Sequence, residues 1–130
     1  MKRVFTNGCF DVLHRGHIEL FRFCKSLGYV IVGLNSDSSI RRLKGDKRPF
    51  FCQDDRKFML ESIKFIDEVI IFDEDTPLLT IEKTKPDLLV KGGDYTIDQV
   101  AGSRLCETII FDFVPGYSSS KILGDKIISS

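Results

Sequence analysis

Phe5-Thr6-Asn7-Gly8-Cys9-Phe10-Asp11-Val12-Leu13-His14-Arg15-Gly16-His17 leaves a hydrophobic strand, turns through Gly8 and enters a helix with two histidines at its start. A strand, a glycine turn and a helix in this order form a phosphate-binding layout. Free N–H groups at a helix N-terminus face an anion, and the helix dipole favours its charge. His14 and His17 are three residues apart, so they share one face of a helical turn. The residues Thr6, Asn7, Gly8, Cys9, Phe10 and Asp11, with Gly16 at the helix start, are therefore read as a turn that meets a nucleoside triphosphate.

Outward from this stretch, strands and helices alternate. Residues 2–5 read as a strand, and residues 17–27 as an amphipathic helix carrying Ile18, Phe21 and Cys24 on one side. Gly28 is expected as its C-cap. Residues 29–34 are continuously apolar, the pattern of a buried parallel strand. Asp37 or Ser38 is expected to cap a short helix. Residues 41–48 carry Arg41, Arg42, Lys44, Lys47 and Arg48 and read as a mobile basic loop. Further helices are expected at 54–65 and 76–85, a helical turn at 98–101 and a last short helix at 121–128. The remaining strands are expected at 69–72, 88–90 and 108–113. In the 54–65 helix, Phe58, Met59, Leu60 and Ile63 are the expected packing residues. The whole chain, 1–130, reads as one three-layer α/β/α domain with a mainly parallel five-stranded sheet. Ligands on such sheets bind beyond the strand C-termini, where the strand order reverses. The loops 6–11, 91–95 and 115–120 all follow strands, so they should converge there.

Composition narrows the function classes. Lysine plus arginine equals aspartate plus glutamate at 19 each, so no net positive field argues for bulk nucleic-acid binding. No apolar run approaches the roughly 20 residues that span a bilayer. Cys9, Cys24, Cys52 and Cys106 have neither CxxC nor zinc-site spacing, and no leader pattern precedes the first strand. Reduced thiols and a cytoplasmic location are expected.

Chemistry then follows residue by residue. His14 and His17 suit hydrogen-bond donation to a triphosphate, with protonation an advantage. No third ligand is spaced to join them around zinc, and no residue is assigned as a metal ligand. Lys44, Lys47 and Arg48 can close over phosphates, and Arg56 can fork onto one. Asp11 is open to three uses: orienting a neighbour, capping the helix, or holding Mg²⁺ through water. Lys91, Gly92, Gly93 and Asp94 follow a strand; the glycines allow close ligand approach, and the carboxylate can meet ribose hydroxyls or a base. Ser118, Ser119 and Ser120 offer hydroxyls and N–H groups before a helix.

Gly8-Cys9-Phe10-Asp11 followed by His14-Arg15-Gly16-His17 resembles the GxFDxxHxGH signature of the cytidylyltransferase-like nucleotidyltransferases, and Ser118-Ser119-Ser120-Lys121-Ile122 resembles their later Ser-Thr-Thr-x-Ile element. Asn35-Ser36-Asp37, Arg42-Leu43-Lys44-Gly45 and Asp75-Thr76-Pro77 look like the adenylyltransferase domain of bacterial ADP-heptose synthases. So do residues 86–95.

The resemblance implies a Rossmann-like fold and transfer of AMP from ATP to D-glycero-D-manno-heptose 1-phosphate, with Mg²⁺ and pyrophosphate release. It also implies a homodimer. The chain carries no kinase domain, so it reads either as a stand-alone transferase, with a separate heptose kinase to supply the substrate, or as an excised domain. His14, His17 and Lys44 take the catalytic, phosphate-handling roles by the same resemblance. Arg56, the 91–94 loop and the three serines become nucleotide-binding. The rival reading is a cytidylyltransferase that uses CTP with glycerol 3-phosphate or another sugar or polyol phosphate. Phe113-Val114-Pro115-Gly116 replaces that rival's Arg-Thr-Glu-Gly run. A nucleotide-sensing module without turnover is the rival of a different class.

Overall fold

A computed structural model describes residues 1–93 and 95–112. Five strands form one sheet: β1 (Arg3–Gly8), β2 (Tyr29–Asn35), β3 (Glu68–Phe72), β4 (Leu88–Gly92) and β5 (Glu107–Phe111). Their spatial order is β3-β2-β1-β4-β5, and every neighbouring pair is parallel. The chain builds outward from β1 to β3, then returns to the other side of β1 for β4. Strand order therefore reverses between β1 and β4, and the crevice at their C-terminal ends is where a ligand fits.

β1 pairs with β2 over six residues, from Arg3↔Tyr29 to Gly8↔Leu34. Thr6, Asn7 and Gly8 thus belong to the strand rather than to the loop expected of them, because the ladder satisfies their backbone groups. Side chains alternate along it. Val4 joins the core cluster under α1 (Arg15–Leu27) and α3 (Gln53–Glu61), with Phe21, Val32 and Leu60. Phe5 joins the opposite cluster, with Ile31, Leu89, Val100 and Ile81 of α4 (Leu78–Thr84). Two apolar layers on the two faces of one sheet make the three-layer architecture, and each fully buried side chain of this size contributes about 1.5–3 kcal/mol.

Several local expectations shift. Residues 41–44 are helical: α2 runs Asp37–Lys44, with Ile40 buried, so only the later part of the basic stretch is a loop. Ser36 caps α2, its Oγ accepting from Ser39 N–H at 3.1 Å, whereas Asp37 and Ser38 lie inside the helix. α3 stops at Glu61, short of the expected 65, and Phe58 and Met59 are exposed while Leu60 is buried. Pro77 is the N-cap of α4, and Lys85 ends that helix in the left-handed region at φ 49°. Ile97–Gln99 is a single 3-10 turn. The expected helix at 121–128 lies outside the described residues.

Gly28 is extended at φ 163°, not left-handed. A Cβ there would sit 2.2 Å from the Lys2 carbonyl oxygen, which accepts from Tyr29 N–H at 2.8 Å. The glycine is needed for that close approach at the α1–β2 junction. All four cysteines are free, and burial pushes the Cys24 thiol up to about 12, so it packs as an apolar group. Among the described residues no helix is long and apolar enough to cross a membrane.

Candidate functional site

His14 is the N-cap of α1, and His17 occupies its third position. The two rings make a reciprocal capping box, a job usually given to a serine or threonine and a glutamate. Gly16 N–H donates to His14 Nδ1 at 3.0 Å, and His14 N–H donates to His17 Nδ1 at 3.3 Å. A nitrogen that accepts an N–H holds no proton, so each imidazole carries its proton on Nε2. The rings stack with centroids 3.9 Å apart, and both are buried. Burial also holds the His14 pKa below the ordinary imidazole value. The pair is therefore built as neutral Nε2–H donors, which corrects the expectation that protonation helps. The Gly16 N–H is already used by His14, so Gly16 positions that ring instead of meeting an anion itself.

Phe10 sits in the left-handed region at φ 45°, a costly conformation for a bulky residue. It is buried and meets both His17 and Phe21 edge-on, at centroid distances of 5.3 and 5.2 Å. It fixes the His17 ring against the core and lines neither cavity of the groove described below. Thr6 is buried on β1 and does not line the groove described below.

Asp11 has a different task from any the sequence suggested. Its carboxylate accepts from Phe50 N–H at 2.8 Å and Phe51 N–H at 3.0 Å, and Arg48 Nη1 lies 3.9 Å away. Both oxygens are thus engaged in pinning the segment that leads into α3. The Arg48 guanidinium lies over the Phe50 ring, 4.7 Å from its centroid.

Arg56 is 1% exposed. Its Nε donates to Phe51 O at 2.9 Å, and its Nη1 to Cys9 O at 2.9 Å and Asn35 O at 2.7 Å. Nη2 donates to Asp37 Oδ1 at 2.7 Å. Four of its five N–H groups are thereby committed within the protein. Instead of forking onto a phosphate, Arg56 ties the loop after β1, the end of β2, the start of α2 and the start of α3 together.

A groove opens on the sheet face opposite α1. One cavity of about 180 Å³ is lined by Asn7, Gly8, Cys9, Lys44 and Lys91, among others. A second, of about 170 Å³, adjoins it and shares Asn7, Asp75, Pro77, Lys91 and Tyr95. Lys91 Nζ donates to Asn7 O at 3.3 Å and lies 5.1 Å from the Tyr95 ring centroid. Burial pushes its pKa down to about 8; the Lys44 charge acts in the same direction and Cys9 opposes it. Gly92 is buried in β4, and Gly93 turns the chain at φ 107° with its N–H on Phe111 O. Neither lines these two cavities. Asp94 and Ser118, Ser119 and Ser120 lie outside the described residues.

Of the residues expected from the sequence, the structure brings Lys44 and Lys91 together on the first cavity, beside the ends of β1 and β4. The sequence reading missed the Arg42–Asp75 ion pair at 2.9 Å, which ties α2 to the loop before α4. As for Mg²⁺, the described residues contain no group of three or more His, Cys, Asp or Glu able to hold a metal, and Asp11 is engaged elsewhere. They build no metal cage, and no step below is routed through one.

Comparison with known proteins agrees with this geometry. The cytidylyltransferase-like family profile matches residues 5–123. The bifunctional protein HldE of Helicobacter pylori (strain J99 / ATCC 700824) is 53% identical over 124 residues, which is 94% of this chain and 27% of that protein. HldE of Campylobacter fetus subsp. fetus (strain 82-40) is 52% identical over 122 residues, 92% of this chain and 27% of its own length. The chain therefore spans about a quarter of these relatives. A crystal structure of the lipopolysaccharide core biosynthesis protein from Thermoplasma volcanium GSS1 superposes with a TM-score of 0.72 at 27% identity, covering 88% of this chain and 97% of that one. Fold, histidine box and family profile coincide on the same residues: the chain belongs to the cytidylyltransferase-like family.

Proposed function

We propose that this protein transfers AMP from ATP to D-glycero-D-manno-heptose 1-phosphate, releasing pyrophosphate and forming ADP-heptose. The observation that carries the reading is the pair of Nε2–H imidazoles at the head of α1, on the edge of the sheet where strand order reverses. The acceptor phosphate is already a nucleophile. Catalysis then needs positioning and charge stabilisation more than a general base. His14 and His17 donate to the triphosphate, and Lys44 and Lys91 offset the charge of two anions brought together. Resemblance to HldE supports the choice of nucleotide and sugar. In this reading the protein works in the cytoplasm as a homodimer, neither spanning a membrane nor binding nucleic acid, and a heptose kinase activity makes its sugar phosphate. Mg²⁺ arrives on the triphosphate.

The deciding experiment offers ATP, CTP, GTP and UTP in turn with heptose 1-phosphate, glycerol 3-phosphate and other sugar 1-phosphates, and measures pyrophosphate. Release only with ATP and the heptose supports the proposal. Preference for CTP with glycerol 3-phosphate selects the rival reading, and no release with any pair leaves a binding module.

Lys44→Ala lowers kcat about tenfold or more, because a charge-assisted contact in the transition state is lost. Its melting temperature stays near that of wild type, since Lys44 is only partly buried. A large drop in melting temperature would make the residue structural.

Lys91 predicts a pH dependence. Its folded pKa of about 8 is below the ordinary lysine value, so the ammonium form is lost as pH rises through 8. Acceptor kcat/KM therefore falls above about pH 8, whereas Lys91→Arg keeps its charge and flattens that limb. The same shift has the opposite sign for stability. Between pH 8 and about 10.5 the unfolded chain binds more protons at this lysine, so its contribution to stability rises with pH. A parallel high-pH limb in the arginine variant would remove Lys91 from the account.

A further inference from the structure

Residues 38, 39 and 42 share one side of α2, at the spacing of three and four that brings helical side chains together. That side meets the segment 73–75, which follows β3. Ser36 Oγ and Ser38 Oγ each donate to Asp73 Oδ1 at 2.5 Å, and Ser39 Oγ donates to Glu74 O at 3.1 Å. Arg42 Nε donates to Asp75 Oδ1 at 2.9 Å, and its Nη2 donates to Asp73 O.

The two ends of α2 are held unequally. Its first turn is fixed by the Ser36 cap, by the Asp37–Arg56 pair at 2.7 Å and by Gln53 Oε1, which accepts from Asp37 N–H at 2.9 Å. Its last turn, 41–44, buries no residue. Among the described residues, Arg42 is the member of that turn whose side chain bonds another segment. Gly45 follows at φ 98°, and a Cβ there would meet nothing within 4 Å. Without Arg42 the turn relies on its own backbone hydrogen bonds, which are weak in a single helical turn.

Lys44 stands two residues beyond Arg42, about 3 Å along the helix axis. It lines the first cavity together with Lys91 and with Asp75, the residue that Arg42 grips. Its charge reaches Lys91, whose pKa it helps to lower. A misplacement of about 1 Å at a contact of this kind costs up to about 100-fold in rate. Arg42 lines neither cavity, so it acts through Lys44 and not on a ligand.

Resting on the nucleotidyl-transfer reading and on the part Lys44 has in it, we propose that Arg42 is a positioning residue for the reaction. Its fork onto Asp73 O and Asp75 Oδ1 holds the last turn of α2, so that the Lys44 ammonium stays over the cavity. An arginine is required there. One planar guanidinium reaches a carbonyl and a carboxylate at once, whereas an ammonium is a point donor. The side chains of the ion pair are 47% and 62% exposed, so the fork adds little to global stability, unlike the buried Arg56 network.

The test compares wild type, Arg42→Ala, Arg42→Lys, Lys44→Ala and the double variant Arg42→Ala with Lys44→Ala. Pyrophosphate release, thermal melting and amide hydrogen exchange are measured on each. Arg42→Ala should lower kcat about fivefold, with KM for ATP and for the acceptor within about twofold and the melting temperature within a few degrees. Arg42→Lys should recover little of the loss. The double variant should be no slower than Lys44→Ala, the non-additivity of two residues acting as a unit. The Gly45 amide, which donates to Arg41 O at 3.0 Å, should exchange about fivefold faster in Arg42→Ala, while the Ile40 amide on Ser36 O keeps its protection. Normal kcat in Arg42→Ala or Lys44→Ala, additive losses in the double variant, or unchanged Gly45 exchange each overturns the proposal and leaves the transfer reading standing. A melting temperature lower by about 10 °C or more in Arg42→Ala does the same, because the residue is then structural. A wild type that releases no pyrophosphate with any substrate pair overturns the transfer reading. Faster Gly45 exchange in Arg42→Ala would then keep the hold on Lys44, and unchanged exchange would overturn both.

Discussion

His17→Ala should lower kcat/KM by at least about 100-fold, equivalent to ~2.7 kcal/mol of transition-state stabilisation. Two losses coincide. The Nε2–H donor to a reacting phosphate disappears, and a charge-assisted contact of that kind in a water-poor site is worth this much. The Nδ1 acceptor for His14 N–H also disappears, so the partner ring is no longer held in its stack. The second loss resembles removal of a helix cap, about 1 kcal/mol. The melting temperature therefore falls only a few degrees while activity collapses. The check is steady-state kinetics well below the melting transition, beside a thermal scan of the same sample. Near-normal kcat/KM would reject the role given to His17.

Arg56→Leu should have the largest effect on stability. The guanidinium is buried and satisfies the carbonyls of Cys9, Asn35 and Phe51 as well as the Asp37 carboxylate. Leucine supplies none of these donors. Breaking a buried charged network costs about 3–5 kcal/mol, which for a domain of this size lowers the melting temperature by about 10–20 °C. Lysine should not restore it, because a single ammonium cannot span four acceptors on four segments. Thermal or urea denaturation checks this. If Arg56→Leu melts like wild type and only ATP affinity falls, the arginine is a phosphate ligand after all.

These two residues show how much was legible in the sequence. The strands and α1 were, because their apolar spacing is regular and the two core clusters sit on either side of the sheet. The histidine pair was legible as a motif. Its protonation was not, because that depends on which ring nitrogen the Gly16 and His14 N–H groups reach. Arg56 looked available because it lies near the start of a helix rich in charge. Its burial comes from contacts 19 to 47 residues away along the chain, which no local pattern encodes. Asp11 is similar, with partners 39 and 40 residues away. α2 was expected as a short helix, but its second half, residues 41–44, was read as loop because its basic residues resemble one, whereas one buried face at Ser39 and Ile40 and the Ser36 cap suffice to hold the helix. Where the structure departs from the sequence reading, Arg56 and Asp11 bind backbone groups of distant segments instead of facing a ligand.

The claim on which all the rest depends is that the two imidazoles receive the triphosphate. A crystal structure with a non-hydrolysable ATP analogue tests it most directly. The account predicts β- or γ-phosphate oxygens about 3 Å from Nε2 of His14 and of His17, with the rings still stacked and Nδ1 still accepting the backbone N–H groups. A bound analogue whose phosphates lie away from both Nε2 atoms would contradict it.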